Sequence, residues 1–169
     1  MDSIDPFTAQ LPQPTAARPL LGLTVLVIED SRYACDAMRL LCLRSGARIR
    51  RADCLRSARR HLQVYRPSIV VIDLGLPDGN GTDLIAELAA SQPRVQALLA
   101  MSGDTFLEGE AMAAGADGFL AKPLVSIADF QEKILSLLPE ERHPQGPRVL
   151  DNAVVIPDRI ALQDDMAHI

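Results

Sequence analysis

Five polar residues follow directly on short apolar runs: Glu29 and Asp30 after TVLVI, Asp73 after IVVI, Ser102 after QALLAM and Lys122 after GFLA. Three carboxylates with no His or Cys among them form an oxygen-only donor set. Such a set suits a hard cation such as Mg²⁺, which keeps several waters and takes one or two carboxylates plus phosphate oxygens. An ammonium and a hydroxyl beside them suit a phosphoryl group. Taken singly, each residue also has an ordinary structural use. Asp30 or Ser31 could cap a helix, Asp73 could bond its own backbone in a turn, Ser102 could open a turn before Gly103, and Lys122 could be an exposed loop residue. The five become a site only if the fold brings them to one rim.

The elements that must do this alternate regularly from Thr24 onward. Five strand-like runs, TVLVI, ARIRRA, SIVVI, QALLAM and GFLA, are interleaved with helical spans over about 31–45, 55–65, 82–90, 107–114 and 126–138. That alternation predicts a parallel sheet with crossover helices. In such open sheets ligands bind beyond the carboxyl ends of the strands, where all five polar residues would stand. Apolar residues recur at three- and four-residue steps through Ala34, Met38, Leu41 and Cys42, through Leu55, Ala58, Leu62 and Tyr65, and through Ile127, Phe130, Ile134 and Leu137. These stripes are expected to face the core. The runs 24–28 and 69–72 read as central strands buried on both faces, whereas Arg48, Arg50 and Arg51 place the second strand at an edge. The fourth helix carries Gly109 inside it and Gly115 at its end, so a soft element is expected there.

Composition bounds the rest. A chain of 169 residues, 48% hydrophobic and 23% charged, suits one globular domain with tails. Residues 1–20 lack apolar periodicity and read as a flexible leader whose opening MDSIDPFT resembles a vector-derived start. The folded domain is expected over 21–139. Residues 140–169 read as a linker, PEERHPQGP being its beginning, followed by a helix start at Pro157 or Asp158 or by the opening of a further segment. No run of 18 apolar residues and no secretory signal order is present, which predicts a soluble, cytoplasmic protein with no membrane contact. Cys35, Cys42 and Cys54 show no C-x-x-C pairing and read as buried thiols. A net charge of −5 gives no reason to expect nucleic-acid binding. Eight arginines between Arg44 and Arg66 (44, 48, 50, 51, 56, 59, 60, 66) could instead form a docking surface for an acidic or phosphorylated partner, or simply a solvated edge.

VLVIEDS at 25–31, VVIDLGLPDGNG at 70–81, MSG at 101–103 and GADGFLAKP at 115–123 closely resemble the receiver domain of two-component response regulators. The resemblance spans about Leu23 to Leu138. It implies a flavodoxin-like, doubly wound five-stranded parallel sheet of order 2-1-3-4-5 with five helices. It also implies phosphorylation of Asp73 by the phosphohistidine of a sensor histidine kinase or a histidine phosphotransfer protein. Asp30 and Asp73 would bind Mg²⁺ with their side chains, Gly75 with its backbone carbonyl, and Glu29 mostly through a water. Lys122 would pair with the phosphoryl oxygens, and Lys122–Pro123 would be a cis peptide bond. Ser102 and Phe119 would act as the switch, the hydroxyl moving to the phosphoryl group and the ring turning inward, so that the helix 4, strand 5 and helix 5 face is repacked. Phe119 stands where many relatives have Tyr, so its inward state would have no hydroxyl to satisfy.

By this resemblance the chain would be a signalling receiver that catalyses its own phosphorylation and dephosphorylation, not an enzyme acting on other substrates. A second copy of the chain is a further candidate partner. Two rivals remain at the level of sequence. A degenerate receiver would serve as a phosphorylation-independent interaction module, against which the retention of Glu29, Asp30, Asp73, Ser102 and Lys122 argues. A phosphatase or phosphotransferase of the haloacid dehalogenase kind would need a second Asp where this chain has Gly75. Direct DNA reading would need a further module, for which the roughly 30 residues beyond Leu138 are too few. It is expected only if the full gene product extends past Ile169; a lone receiver and a receiver cut from a larger regulator fit the chain equally well.

Overall fold

The computed structural model describes residues 18–124 and 126–139. The expected leader over 1–17 and the expected linker and helix start over 140–169 lie outside them. Five strands, β1 (Thr24–Ile28), β2 (Arg48–Ala52), β3 (Ile69–Asp73), β4 (Ala97–Ser102) and β5 (Gly118–Ala121), form one parallel sheet in the order β2-β1-β3-β4-β5. Helices α1 (Arg32–Ser45), α2 (Leu55–Val64), α3 (Gly81–Ala90), α4 (Glu108–Ala114) and α5 (Ile127–Leu137) connect them, giving the doubly wound, flavodoxin-like architecture. A 3₁₀ turn, Thr105–Leu107, precedes α4, so Gly109 falls in the first helical turn and not inside the helix.

Alternation along the strands divides the core into two layers. Val25, Val27, Ile69, Val71, Leu99 and Met101 face α1 and α5, packing on Met38, Leu41, Phe130 and Ile134. Leu26, Ile28, Val70, Ile72, Leu98 and Ala100 face the other way, toward Leu55, Ala58, Leu84, Ile85, Ala111 and Phe119. β1 and β3 are flanked on both sides, which is why their sequences are nearly continuous apolar runs. Each fully buried Val, Leu or Ile contributes about 1.5–3 kcal/mol relative to exposure. The central strands, whose ends carry the polar residues, are therefore the most firmly held part of the molecule.

Three expectations need correction. Leu20, assigned to the leader by its Pro- and polar-rich surroundings, is fully buried in the α1/α5 layer, and its N–H donates to the Ser45 carbonyl at 2.8 Å. The domain therefore begins before residue 21. On α1 the buried stripe passes through Cys35 while Ala34 is half-buried, a shift of one position set by the way the helix leaves β1. Cys35 and Cys42 are buried thiols, but Cys54 is half-buried at the N-cap of α2, where its sulfur accepts from the Ser57 N–H at 3.4 Å.

Candidate functional site

Sheet register explains why the polar residues meet. Ile28 pairs with Ile72, so Glu29 and Asp73 leave the last rung of β1 and β3 together. Asp73 pairs with Met101, which puts Ser102 one step beyond it on β4. Ser102 in turn pairs with Ala121, and the Lys122 N–H donates to the Ser102 carbonyl at 2.9 Å. Asp73 and Ser102 are themselves the last residues of their strands, and both are buried, at 5% and 8% exposure. Rigid strand backbone holds them, in place of turns.

One carboxyl oxygen each from Glu29, Asp30 and Asp73 lies within 4.8 Å of the others. Lys122 Nζ stands between two of these groups, donating to Glu29 Oε2 at 2.9 Å and lying 3.3 Å from Asp73 Oδ1. The second Glu29 oxygen accepts from the Ser31 N–H at 2.9 Å. Both oxygens of this fully buried group are thus engaged, whereas Asp30 is exposed and reaches solvent. Burial pushes the Glu29 carboxyl above its ordinary pKa; bonds from Lys122 and Ser31 oppose this, and the Asp73 charge reinforces it. Burial would lower the Lys122 pKa, but the bond to Glu29 and the charges of Asp73 and Glu29 outweigh it and hold the ammonium above its usual value. The donor set is all oxygen, with one open, solvated member and one short cation contact, and fits a hard divalent ion.

Local sequence sets the surrounding loops. Ser31, not Asp30, caps α1, its hydroxyl accepting from the Ala34 N–H. After Asp73 the chain makes a two-residue antiparallel ribbon, Gly75–Leu76 with Gly79–Asn80, around Pro77 and Asp78, and Asn80 caps α3. The ribbon was not anticipated. Asp78 at its tip accepts from the Leu55 and Arg56 N–H groups at 2.8 and 3.0 Å, tying the loop after the central Asp to the start of α2. No local sequence signal marks that contact, because its partners lie more than twenty residues away. Arg51 donates to the Glu29 and Asp30 carbonyls from the edge strand, fixing the backbone that carries the acidic pair. The Ser102 hydroxyl accepts from the Asp104 N–H at 3.0 Å. Phe119 is 7% exposed in the α2/α3/α4 layer, and the Lys122–Pro123 peptide is cis, as is Gln92–Pro93, which nothing in the sequence had marked.

The family model for the response regulator receiver domain matches residues 25–135, and the chain belongs to that family. Receiver domains of this family are phosphoacceptors of two-component systems. Among curated relatives, the KDP operon transcriptional regulatory protein KdpE of Escherichia coli (strain K12) is 28% identical over 110 residues, 65% of this chain and 48% of that protein. The virulence transcriptional regulatory protein PhoP of Salmonella typhimurium (strain 14028s / SGSC 2262) is 29% identical over 102 residues, 60% of this chain and 46% of that protein. The chain spans about half the length of the curated relatives it matches.

Solved structures agree on the fold. The chemotaxis response regulator CheY4 of Vibrio cholerae superposes with a TM-score of 0.63 at 21% identity, covering 69% of this chain and 98% of that one. The receiver domain of the sensor histidine kinase PA1611 from Pseudomonas aeruginosa PAO1, which has a magnesium ion coordinated in its active site cleft, gives 0.62 at 22% identity, covering 69% and 97%. Among the described residues no helix is long and apolar enough to cross a membrane.

Proposed function

We propose that Asp73 takes a phosphoryl group from the phosphohistidine of a sensor histidine kinase or histidine phosphotransfer protein. The observation that carries this reading is the Lys122 ammonium set between Glu29 and Asp73, with Asp30 beside them, at the ends of adjoining strands. An Asp73 oxygen attacks phosphorus, the new P–O bond forms as the P–N bond breaks, and the imidazole leaves with the electron pair. No general base is needed, because the nucleophile is a carboxylate and not a hydroxyl. Lys122 is placed to pair with the incoming oxygens as charge accumulates on them.

Asp30 and Asp73 side chains and the Gly75 carbonyl would hold Mg²⁺, with Glu29 acting through a water because its own oxygens are engaged by Lys122 and Ser31. The ion, when bound, neutralises charge on the phosphoryl oxygens. Ser102 then donates its hydroxyl proton to a phosphoryl oxygen, and the β4–α4 loop, tied to the same hydroxyl through the Asp104 N–H, moves with it. Phe119, buried beside Ala111 and Ala116 in the same layer, transmits that shift to the α4, β5 and α5 face, which controls a partner or output segment. On this reading the protein works in the cytoplasm, and a second copy of the chain is a further candidate partner.

Intact-mass measurement after incubation with Mg²⁺ and a small-molecule phosphodonor tests the reading. One added phosphoryl group is expected on the native chain and none on Asp73→Asn. An unlabelled native chain would favour the phosphorylation-independent interaction module. Equal labelling of the variant would move the chemistry elsewhere.

A further inference from the structure

Charge in this domain is segregated by position in the sheet. Residues 32–66, which build α1, β2 and α2, carry ten arginines against two carboxylates, Asp36 and Asp53, for a net +8. The remaining described residues carry four basic groups against twelve carboxylates, a net −8. The positive half is centred on β2, the outermost strand on its side of the sheet.

Most of that charge is uncompensated. Arg51 bonds to the Glu29 and Asp30 carbonyls, Arg59 pairs with Glu87 on α3, and Arg50 lies over the Tyr65 ring at 4.1 Å. The exposed side chains of Arg48, Arg56, Arg60 and Arg66 have no partner among the described residues. Arg48 and Arg50 alternate with Ile49, which packs on the α1/α5 layer, so both project to the α2 side of the strand. Beside the strand a shallow cavity of about 320 Å³ is lined by Arg51, Ala52, Asp53, Ser57, Arg60 and His61, two arginines and a histidine against one carboxylate. Val64, one turn beyond Arg60, is 85% exposed and supplies an apolar contact at the same edge.

Among the described residues the backbone of β2 is also half-used. The Arg48 N–H and the Ala52 carbonyl bond toward β1, and by the alternation of a parallel ladder Ile49 and Arg51 turn their N–H and C=O groups away from it. An open edge of this kind accepts an added strand. Its side chains decide which one. Two copies of β2 side by side would set arginine against arginine, so pairing of identical edges is disfavoured. An acidic strand meets the opposite situation. A nucleic acid would meet the same arginines, but it makes no use of the main-chain edge, which is what favours an extended peptide.

We propose that the β2 edge, with Arg48, Arg50, Arg51 and Arg60, is a docking surface for an extended acidic segment of a partner protein that adds as a strand beside β2. The surface is distinct from the α4, β5 and α5 face and does not depend on phosphorylation of Asp73. Specificity comes from exclusion of basic and neutral strands as much as from attraction.

Backbone amide chemical-shift mapping of the full chain tests this, with a synthetic hexapeptide of alternating Glu and Val as probe. Its Lys/Val counterpart and hexathymidylate serve as comparators. The Glu peptide should shift Ile49, Arg51, Ser57 and Arg60 amides, and the affinity should fall about tenfold or more between low and moderate salt. Arg48→Glu combined with Arg50→Glu should abolish the shifts, and Arg48→Gln with Arg50→Gln should weaken binding by about tenfold while leaving the dispersed spectrum of a folded domain. Asp73→Asn should bind as the native chain does, which separates this surface from the phosphoacceptor site. No shift on β2 or α2, equal binding of the Lys peptide, or tighter binding of the oligonucleotide would overturn the proposal. So would the same shifts appearing on concentrating the protein alone, which would assign the edge to a second copy.

Discussion

Glu29 carries the most confined charge in the domain: it is fully buried, and both of its oxygens are bonded. Burial, aided by the Asp73 charge, raises its pKa in the folded state. An acid of this kind favours folding in its protonated form. That contribution is complete below the ordinary value of 4.5 and is lost as pH rises through the higher folded value. Glu29→Gln keeps an acceptor for the Ser31 N–H and removes the titration. Its stability relative to the native chain should therefore rise with pH above 4.5 and level off once Glu29 is ionised. Urea melts of both proteins from pH 4 to about 8 measure this directly, and a pH-independent difference would contradict it. Lys122 has the opposite place in the cluster. Its pKa is raised, so its contribution persists through neutral pH and is lost only as pH climbs past 10.5. Lys122→Ala leaves three carboxylates without a cation and should cost about 2 kcal/mol at pH 7, below the value for a fully dry pair because its side chain is 25% exposed. That deficit should shrink on acidification, as the carboxylates protonate.

At the scale of elements, the loops position what the strands hold. Gly81 opens α3 directly against the end of β3, and a Cβ there would overlap the Asp73 carbonyl oxygen and sit 2.9 Å from Ile72 Cγ2. Both neighbours belong to a fully buried central strand that cannot yield. Gly81→Ala should cost about 2 kcal/mol and slow phosphorylation of Asp73 by displacing its backbone. Thermal melts and the rate of mass gain with a phosphodonor check the two effects. Gly109 is the contrasting case, with nothing within 4 Å of an added Cβ. Gly109→Ala should stabilise α4 by a few tenths of a kcal/mol, less than at an interior position because the residue sits in the first turn, and slow its amide exchange, which in the native chain should be faster than that of α1. The strands and their polar ends were legible in the sequence because β-branched runs and a period of two survive without tertiary information. The glycine–aspartate ribbon after β3 was not, since GLPDGN reads as a turn and its pairing depends on Asp78 reaching α2. Leu20 was missed for a related reason. It stands where a Pro-rich stretch runs into Leu21 and Leu23, and its burial depends on packing in the α1/α5 layer, where its N–H also donates to the Ser45 carbonyl.

For the molecule as a whole, the acidic cluster sets stability against readiness for phosphate. Three carboxylates with one ammonium leave a net charge of −2 within 4.8 Å at the edge of the main core. Like charges at this spacing repel by an amount on the order of 1 kcal/mol or more, depending on how much water reaches them. The fold tolerates this because β1 and β3 are buried on both faces and anchor Glu29 and Asp73 from below. Anything that removes a negative charge or adds a positive one should then stabilise the entire domain, because the strands unfold as one cooperative unit. Asp73→Asn should raise the melting temperature in metal-free buffer, even though it removes the proposed phosphoacceptor. Mg²⁺ should do the same to the native chain by binding only the folded state. For a dissociation constant of about 1 mM, about 10 mM Mg²⁺ adds about 1.4 kcal/mol, which shifts melting by roughly 5 °C in a domain of this size. Asp30→Asn removes the one exposed carboxylate of the proposed Mg²⁺ site without disturbing the Glu29–Lys122 pair, so the variant should melt higher than the native chain without metal and gain much less from Mg²⁺. Calorimetric scans of the native chain and the variant, each with Mg²⁺ and with chelator, measure the two effects. An equal Mg²⁺ shift in both proteins would place the bound ion away from Asp30.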